Sequence, residues 1–205
     1  MPDPGELDRA LASMSHDEID ARSIAELDAG RLPLRAQQRL ATMRADAAFT
    51  SALSVYDHHA IRSVGFSPVG QVMGTAVVHP GTYALSACGY YGYGFSYGWG
   101  QAPVAVASQV EAALHGARSN AMNRLVQECQ GLRGDGVVGV RLTMGPFIGG
   151  GIEVQAIGTA VRADADVRPP WPFTSDISGQ DFAKLLLAGW LPAALVMGTA
   201  VLIRH

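Results

Sequence analysis

Histidine and cysteine are the side chains in this 205-residue chain best suited to hold a soft or borderline metal. The candidates are His58, His59, His79, Cys88, His115 and Cys129. A metal site needs three or four such ligands converging on one point, often with two of them close in sequence. His58 and His59 are adjacent on an expected short helix, where neighbours point about 100° apart, so they do not form a paired face. They read as a solvated helix surface. His79 ends an expected strand and Cys88 follows one short turn later, which makes these two the candidate metal ligands. Two ligands are an incomplete site unless a symmetric ring brings copies together. Cys129 falls on the apolar stripe of a long helix and is expected to be a packed thiol.

Other chemistry lacks its parts. No Ser-His-Asp arrangement can be placed. The glycine-rich stretch "GYYGYGFSYGWG" has no GK[ST] ending and does not open a helix at its last glycine, so it is no phosphate loop. Glu153 is the one acid within the expected strands, so paired carboxylates are missing there. No catalytic residue is assigned, and the protein is not expected to be an enzyme.

The elements that must position these residues follow from pattern. Val106, Val110, Leu114, Ala117, Ala121, Leu125, Cys129 and Leu132 recur every three or four residues, predicting one helix over Pro103–Leu132 with a single apolar face. "GLRGDG" ends it. "VVGVRLTMG", "PFIGGG" and "IEVQAIGTAVR" then read as strand, turn and strand. With a Val- and Thr-rich strand over Val69–Val78, the order is β-α-β-β. The fold class is α+β, an antiparallel sheet of Val69–Val78, Gly136–Met144 and Ile152–Arg162 with the long helix on one face. Such a sheet leaves its second face and both edges open, which predicts self-association. "SACGYYGYGFSYGWGQ" (Ser86–Gln101) reads as a Gly/aromatic loop packed at a subunit contact or binding a ligand.

One hexapeptide, "VMGTAV", occurs twice, at Val72–Val77 and Val196–Val201. Aligned without gaps at that spacing, the stretches starting at Phe49 and Phe173 agree at 13 of 30 positions. This is an internal duplication. Ser54 and Ser178 are placed to cap a helix, with Asp57 and Asp181 in its first turn. Gly65 and Gly189 suit its left-handed exit, and Pro68 and Pro192 stop it. The expected organisation is a helical appendage (1–48), a complete unit (49–166), the stiff linker "RPPWP" within 167–172, and a partial second copy (173–205) consisting of a short helix and then a strand over Ala193–Ile203. In the appendage, "SHDE" at Ser15–Glu18 has capping-box spacing.

Bulk properties exclude further classes. A net charge of −3 and no basic run argue against a nucleic-acid partner. Two cysteines cannot build a disulfide framework, and the polar, acidic start is no signal peptide, so a cytoplasmic protein is expected. Leu185–Ile203 is an uncharged stretch long enough to span a bilayer. The corresponding first-copy positions include Arg62 and Ser63, and Gly189 and Pro192 interrupt the second. A helix-then-strand reading is preferred, with a membrane tether as the alternative.

"ARSNAMNRLVQECQGLRGDGVVGVRLTMG", followed by "IEVQAIGTAV" and preceded by "VGQVMGT", resembles the YbjQ family, also called the UPF0145 or heavy-metal-binding domain family, over about Phe66–Arg162. The two-copy arrangement is similar to longer actinobacterial members. The resemblance implies a small β-α-β-β subunit of the dodecin-like type and a ring-shaped homo-oligomer, a pentamer in single-domain members. Its label points to a divalent heavy metal, but the resemblance implies little about activity and the cofactor stays unassigned. Single-domain members often carry a cysteine near the position of Val69, and here the second copy is cut short. The expected function is therefore a soluble ring-forming module that binds a metal or small ligand, with a purely structural interaction module as the alternative.

Overall fold

The computed structural model describes residues 4–45, 49–79, 102–148, 150–166 and 168–200. Three helices come first: α1 (Pro4–Ala12), α2 (His16–Asp28) and α3 (Leu34–Ala45). The complete unit follows as α4 (Val55–Ser63), β1 (Phe66–Val78), α5 (Ala102–Gly131), β2 (Gly136–Phe147) and β3 (Gly151–Ala163), and the half-repeat supplies β4 (Phe173–Thr174) and α6 (Gly179–Leu187).

The β-α-β-β order and the α+β class are as the pattern required. β3 sits between β1 and β2 and pairs antiparallel with both. Ala117, Ala121, Leu125, Cys129 and Leu132 of the expected helix stripe are all buried. They pack on Val72, Ala76, Val154, Ala156 and Ala160 of the sheet. Gly74 lets helix and strand touch: a Cβ there would overlap the carbonyl oxygen of Ala121 and stand 2.7 Å from the nitrogen of Leu125. Val106 lies outside the described side chains.

The expectation of an open second face is corrected. The half-repeat, together with α4, covers part of it. Phe173 and Phe182, at 4% and 0% exposure, join Ile61, Val138 and Val161 in a second core on the sheet face opposite α5. The Phe173 and Phe182 rings stack at 5.6 Å, and Phe66 meets Phe182 edge-on at 5.3 Å. The start of the β2 edge is covered as well. β4 pairs with it in parallel, Phe173 opposite Gly136 and Thr174 opposite Val137, so the four-stranded sheet is mixed rather than wholly antiparallel. A side chain at Gly136 would strike the Phe173 ring.

Both copies begin their helices as the shared letters predict. Ser54 and Ser178 cap α4 and α6, and Gly65 and Gly189 take φ of +78° and +82°. α6 stops at Leu187, so Leu185–Ile203 is not one continuous helix. No helix among the described residues is long and apolar enough to cross a membrane. The second strand differs from expectation. Among residues 190–200 no ladder forms, although burial alternates, with Leu195, Met197 and Thr199 turned inward and Val196, Gly198 and Ala200 outward. Leu195 and Met197 pack on the main core, and the Leu195 N–H donates to Thr174 Oγ1 at 2.9 Å. Residues 201–205 lie outside the described part.

Asp57 joins the two copies. It completes the capping box of α4 with Ser54, and its Oδ1 also accepts the Gln180 N–H at 3.1 Å, at the start of α6. The Ser54 hydroxyl, followed by backbone N–H groups of Gln180, Ser54 and Gly179, holds its carboxyl below the ordinary carboxylate value. With the folded pKa depressed, the stabilisation is complete above the unfolded value near ~4 and is lost as pH falls through the folded pKa. Asp57→Asn should lower the urea midpoint at pH 7 and flatten its decline between pH 5 and pH 3. An unchanged acid limb would show that this carboxylate does not join the copies.

Candidate functional site

The metal candidates do not converge. His59, His79 and His115 are exposed at separate places on the surface. His58 is half-buried, with its ring edge-on to Phe49 at 5.5 Å. His79 lies just past the end of β1, beside Gly151. Its expected partner, Cys88, lies outside the described residues, as does the rest of the Gly/aromatic loop. Among the described residues, no group of three or more His, Cys, Asp or Glu side chains is placed to hold a metal ion.

Cys129 is the packed thiol its helix position implied. It is fully buried, its Sγ lies 3.4 Å from the Gly136 carbonyl oxygen, and burial, aided by the nearby Asp135 charge, pushes its pKa up to about 12. A thiol that stays protonated at neutral pH is neither a nucleophile nor a ready metal ligand.

The structure instead assembles charged groups along the outer edge of β1. Asn120, Arg124 and Glu128 follow at four-residue intervals on the flank of α5. The Glu128 carboxylate is 2% exposed, accepts the Met73 N–H at 2.7 Å and pairs with Arg39 of α3. Arg124 donates to the Thr75 carbonyl. The helix thus satisfies one N–H and one C=O that a sheet edge leaves free. It also ties the N-terminal helices to the unit, with Leu40 entering the core and Gln127 Nε2 donating to the Gly30 carbonyl at 2.7 Å. Sequence reasoning missed Arg124 and Glu128 because they lie off the apolar stripe. The i, i+4, i+8 spacing of polar residues was the available signal.

Two clefts flank Arg124. One, of about 400 Å³, lies between α3 and Met73–Thr75. The other, of about 410 Å³, lies between Ala76–Val78 and the N-terminal half of α5. A second acid, Asp135 of "GDG", is buried and structural: Oδ2 accepts the Ala163 N–H at 2.8 Å and pairs with Arg168 at the start of the proline linker.

The second distinctive surface is apolar. Leu187, Trp190, Leu191 and Val196 of the half-repeat are 80%, 69%, 52% and 89% exposed. Arg118 connects this stretch to β2. Its Nη1 donates to Thr199 Oγ1 at 2.6 Å, and its Nη2 approaches Met144 Sδ, at the exposed end of β2 that also carries Phe147. Large exposed apolar residues concentrated in one region mark a contact surface, whereas scattered ones do not.

Comparison with known proteins returns the family that the sequence resembles. Residues 105–164 match the YbjQ profile described as "Putative heavy-metal-binding". A Mycobacterium tuberculosis protein named as an encapsulin nanocompartment protein is 38% identical over 173 residues, which is 81% of this chain and 60% of that protein. UPF0145 proteins of Halorubrum lacusprofundi and Archaeoglobus fulgidus are 44% and 45% identical over 46 and 49 residues. These matches take in 22% and 24% of this chain, and 44% and 45% of the relatives. The chain therefore covers less than two thirds of the length of each of these relatives.

Proposed function

From a chain whose residues 105–164 carry a YbjQ-type segment, we propose a module that acts by assembling with copies of itself and performs no catalysis of its own. One observation carries this reading: the exposed apolar run of Leu187, Trp190, Leu191 and Val196 in the half-repeat. An apolar surface of this kind costs solubility unless something covers it. The name of the mycobacterial relative, an encapsulin nanocompartment protein, supports assembly as the theme. A ring is the closed form that a repeated head-to-tail contact takes, and a pentamer is the form the family resemblance suggests.

The protein should run as an oligomer in light scattering at micromolar concentration, and the double variant Leu187→Asp/Trp190→Asp should shift to the mass of one chain. A monomeric parent protein ends this reading.

A metal role is the finer part of the proposal and rests on the family description. Since the described residues of one chain offer no complete ligand set, the ligands would come from neighbouring copies, with His79 and Cys88 the first to test. Metal analysis of the assembled protein checks this. A stoichiometric metal that a chelator removes and that His79→Ala abolishes is the expected result.

A further inference from the structure

Beyond Thr75 the closed edge of β1 opens. The N-terminal half of α5 and the end of β1 enclose the cleft of about 410 Å³, within the size range of small-molecule sites. One wall is apolar, formed by Val78, Ala113 and Gly116. Among the described residues, the polar side chains lining it are Arg124, Asn120 and Gln109, with no Asp or Glu. Arg124 is half-buried, donates to the Thr75 carbonyl and makes no ion pair among the described residues. Burial lowers its pKa, the sign of a cation short of solvent and of counter-charge. A partly desolvated charge without an opposite partner is unfavourable, and an anion placed beside it relieves that cost. With Arg124 present and no carboxylate among the described lining residues, an anion is favoured over a cation as occupant. The apolar wall asks for more than a bare inorganic anion.

We propose that this cleft binds a small organic carboxylate, its headgroup on the Arg124 guanidinium and the Asn120 carboxamide and its hydrocarbon part against Val78, Ala113 and Gly116. The site lies within one chain and does not depend on self-assembly.

Calorimetric titration of the full chain at pH 7 tests the proposal with sodium hexanoate as the probe. Hexanamide serves as the neutral isostere and inorganic phosphate as the anion without a tail. Hexanoate should bind saturably at one site per chain, and each control at least tenfold more weakly. Arg124→Gln should weaken hexanoate at least tenfold. Because Arg124 also caps Thr75, Gly116→Leu provides an independent variant. A Cβ at Gly116 meets nothing within 4 Å, and leucine favours a helix over glycine, so this change should fill the cleft and leave the fold intact. Gly116→Leu should also abolish binding. No binding of hexanoate, equal binding of hexanamide or phosphate, or full binding by Gly116→Leu would each overturn the assignment. Titration counts ligand per chain, so the result stands apart from any change in oligomer mass.

Discussion

Phe182→Ala should remove about 3–5 kcal/mol of stability, the range for emptying a fully buried aromatic site. Phe182 is completely buried and shares its core with Ile61, Val138, Val161 and Phe173. The cavity would lie between two sheet-covering helices that are also joined at their N-terminal ends through Asp57, which limits how far α6 can settle inward. A domain of this size typically has a margin of about 5–15 kcal/mol, so the loss is a large part of the whole. The readout is the urea midpoint followed by circular dichroism. A variant that unfolds within about 0.5 kcal/mol of the parent would show that the half-repeat only rests on the unit. Deletion of Phe173–His205 should then go further, exposing the part of the second face that Phe173 and Phe182 cover together with the start of the β2 edge. The shortened chain should lose its cooperative transition.

Gly74→Ala and Gly198→Ala change the same letter of the same hexapeptide, and they should differ sharply. At Gly74 the new methyl overlaps the Ala121 carbonyl oxygen and stands 2.7 Å from the Leu125 nitrogen. Both are backbone atoms of α5, so no rotamer change relieves the clash. The helix must lift from β1, and the expected cost is about 3 kcal/mol or more, at the upper end for overpacking. At Gly198 a Cβ meets nothing within 4 Å, and the change should stay within about 0.5 kcal/mol. Denaturant midpoints measured side by side decide the matter. Equal midpoints would show that α5 does not pack against β1 as described.

Much of the fold was legible before any coordinates. The stripe from Ala117 to Leu132 named the buried helix face because a 3.6-residue period is a property of neighbours in the chain. Ser54 with Asp57, Ser178 with Asp181, and the glycines at 65 and 189 marked helix starts and exits for the same reason, since caps and left-handed turns are satisfied within a few residues. The candidate sites were less legible. Arg124 and Glu128 gain their roles from Thr75 and Met73, some fifty residues away, and nothing in their own neighbourhood announces a strand edge.

The duplicated "VMGTAV" divides the two kinds of information. By itself the sequence determined that both copies favour an extended chain after a capped helix; the first is a strand, and the described part of the second shows a strand's alternating burial. It could not determine what each pairs with. Val72–Val77 forms a full ladder with β3, whereas the described part of the second copy forms none and turns Leu195 and Met197 into the first unit's core. Identical letters have identical local preferences. The difference between them comes from strand partners supplied by distant chain, and from an apolar face of the first unit that Phe173 and Phe182 were free to fill.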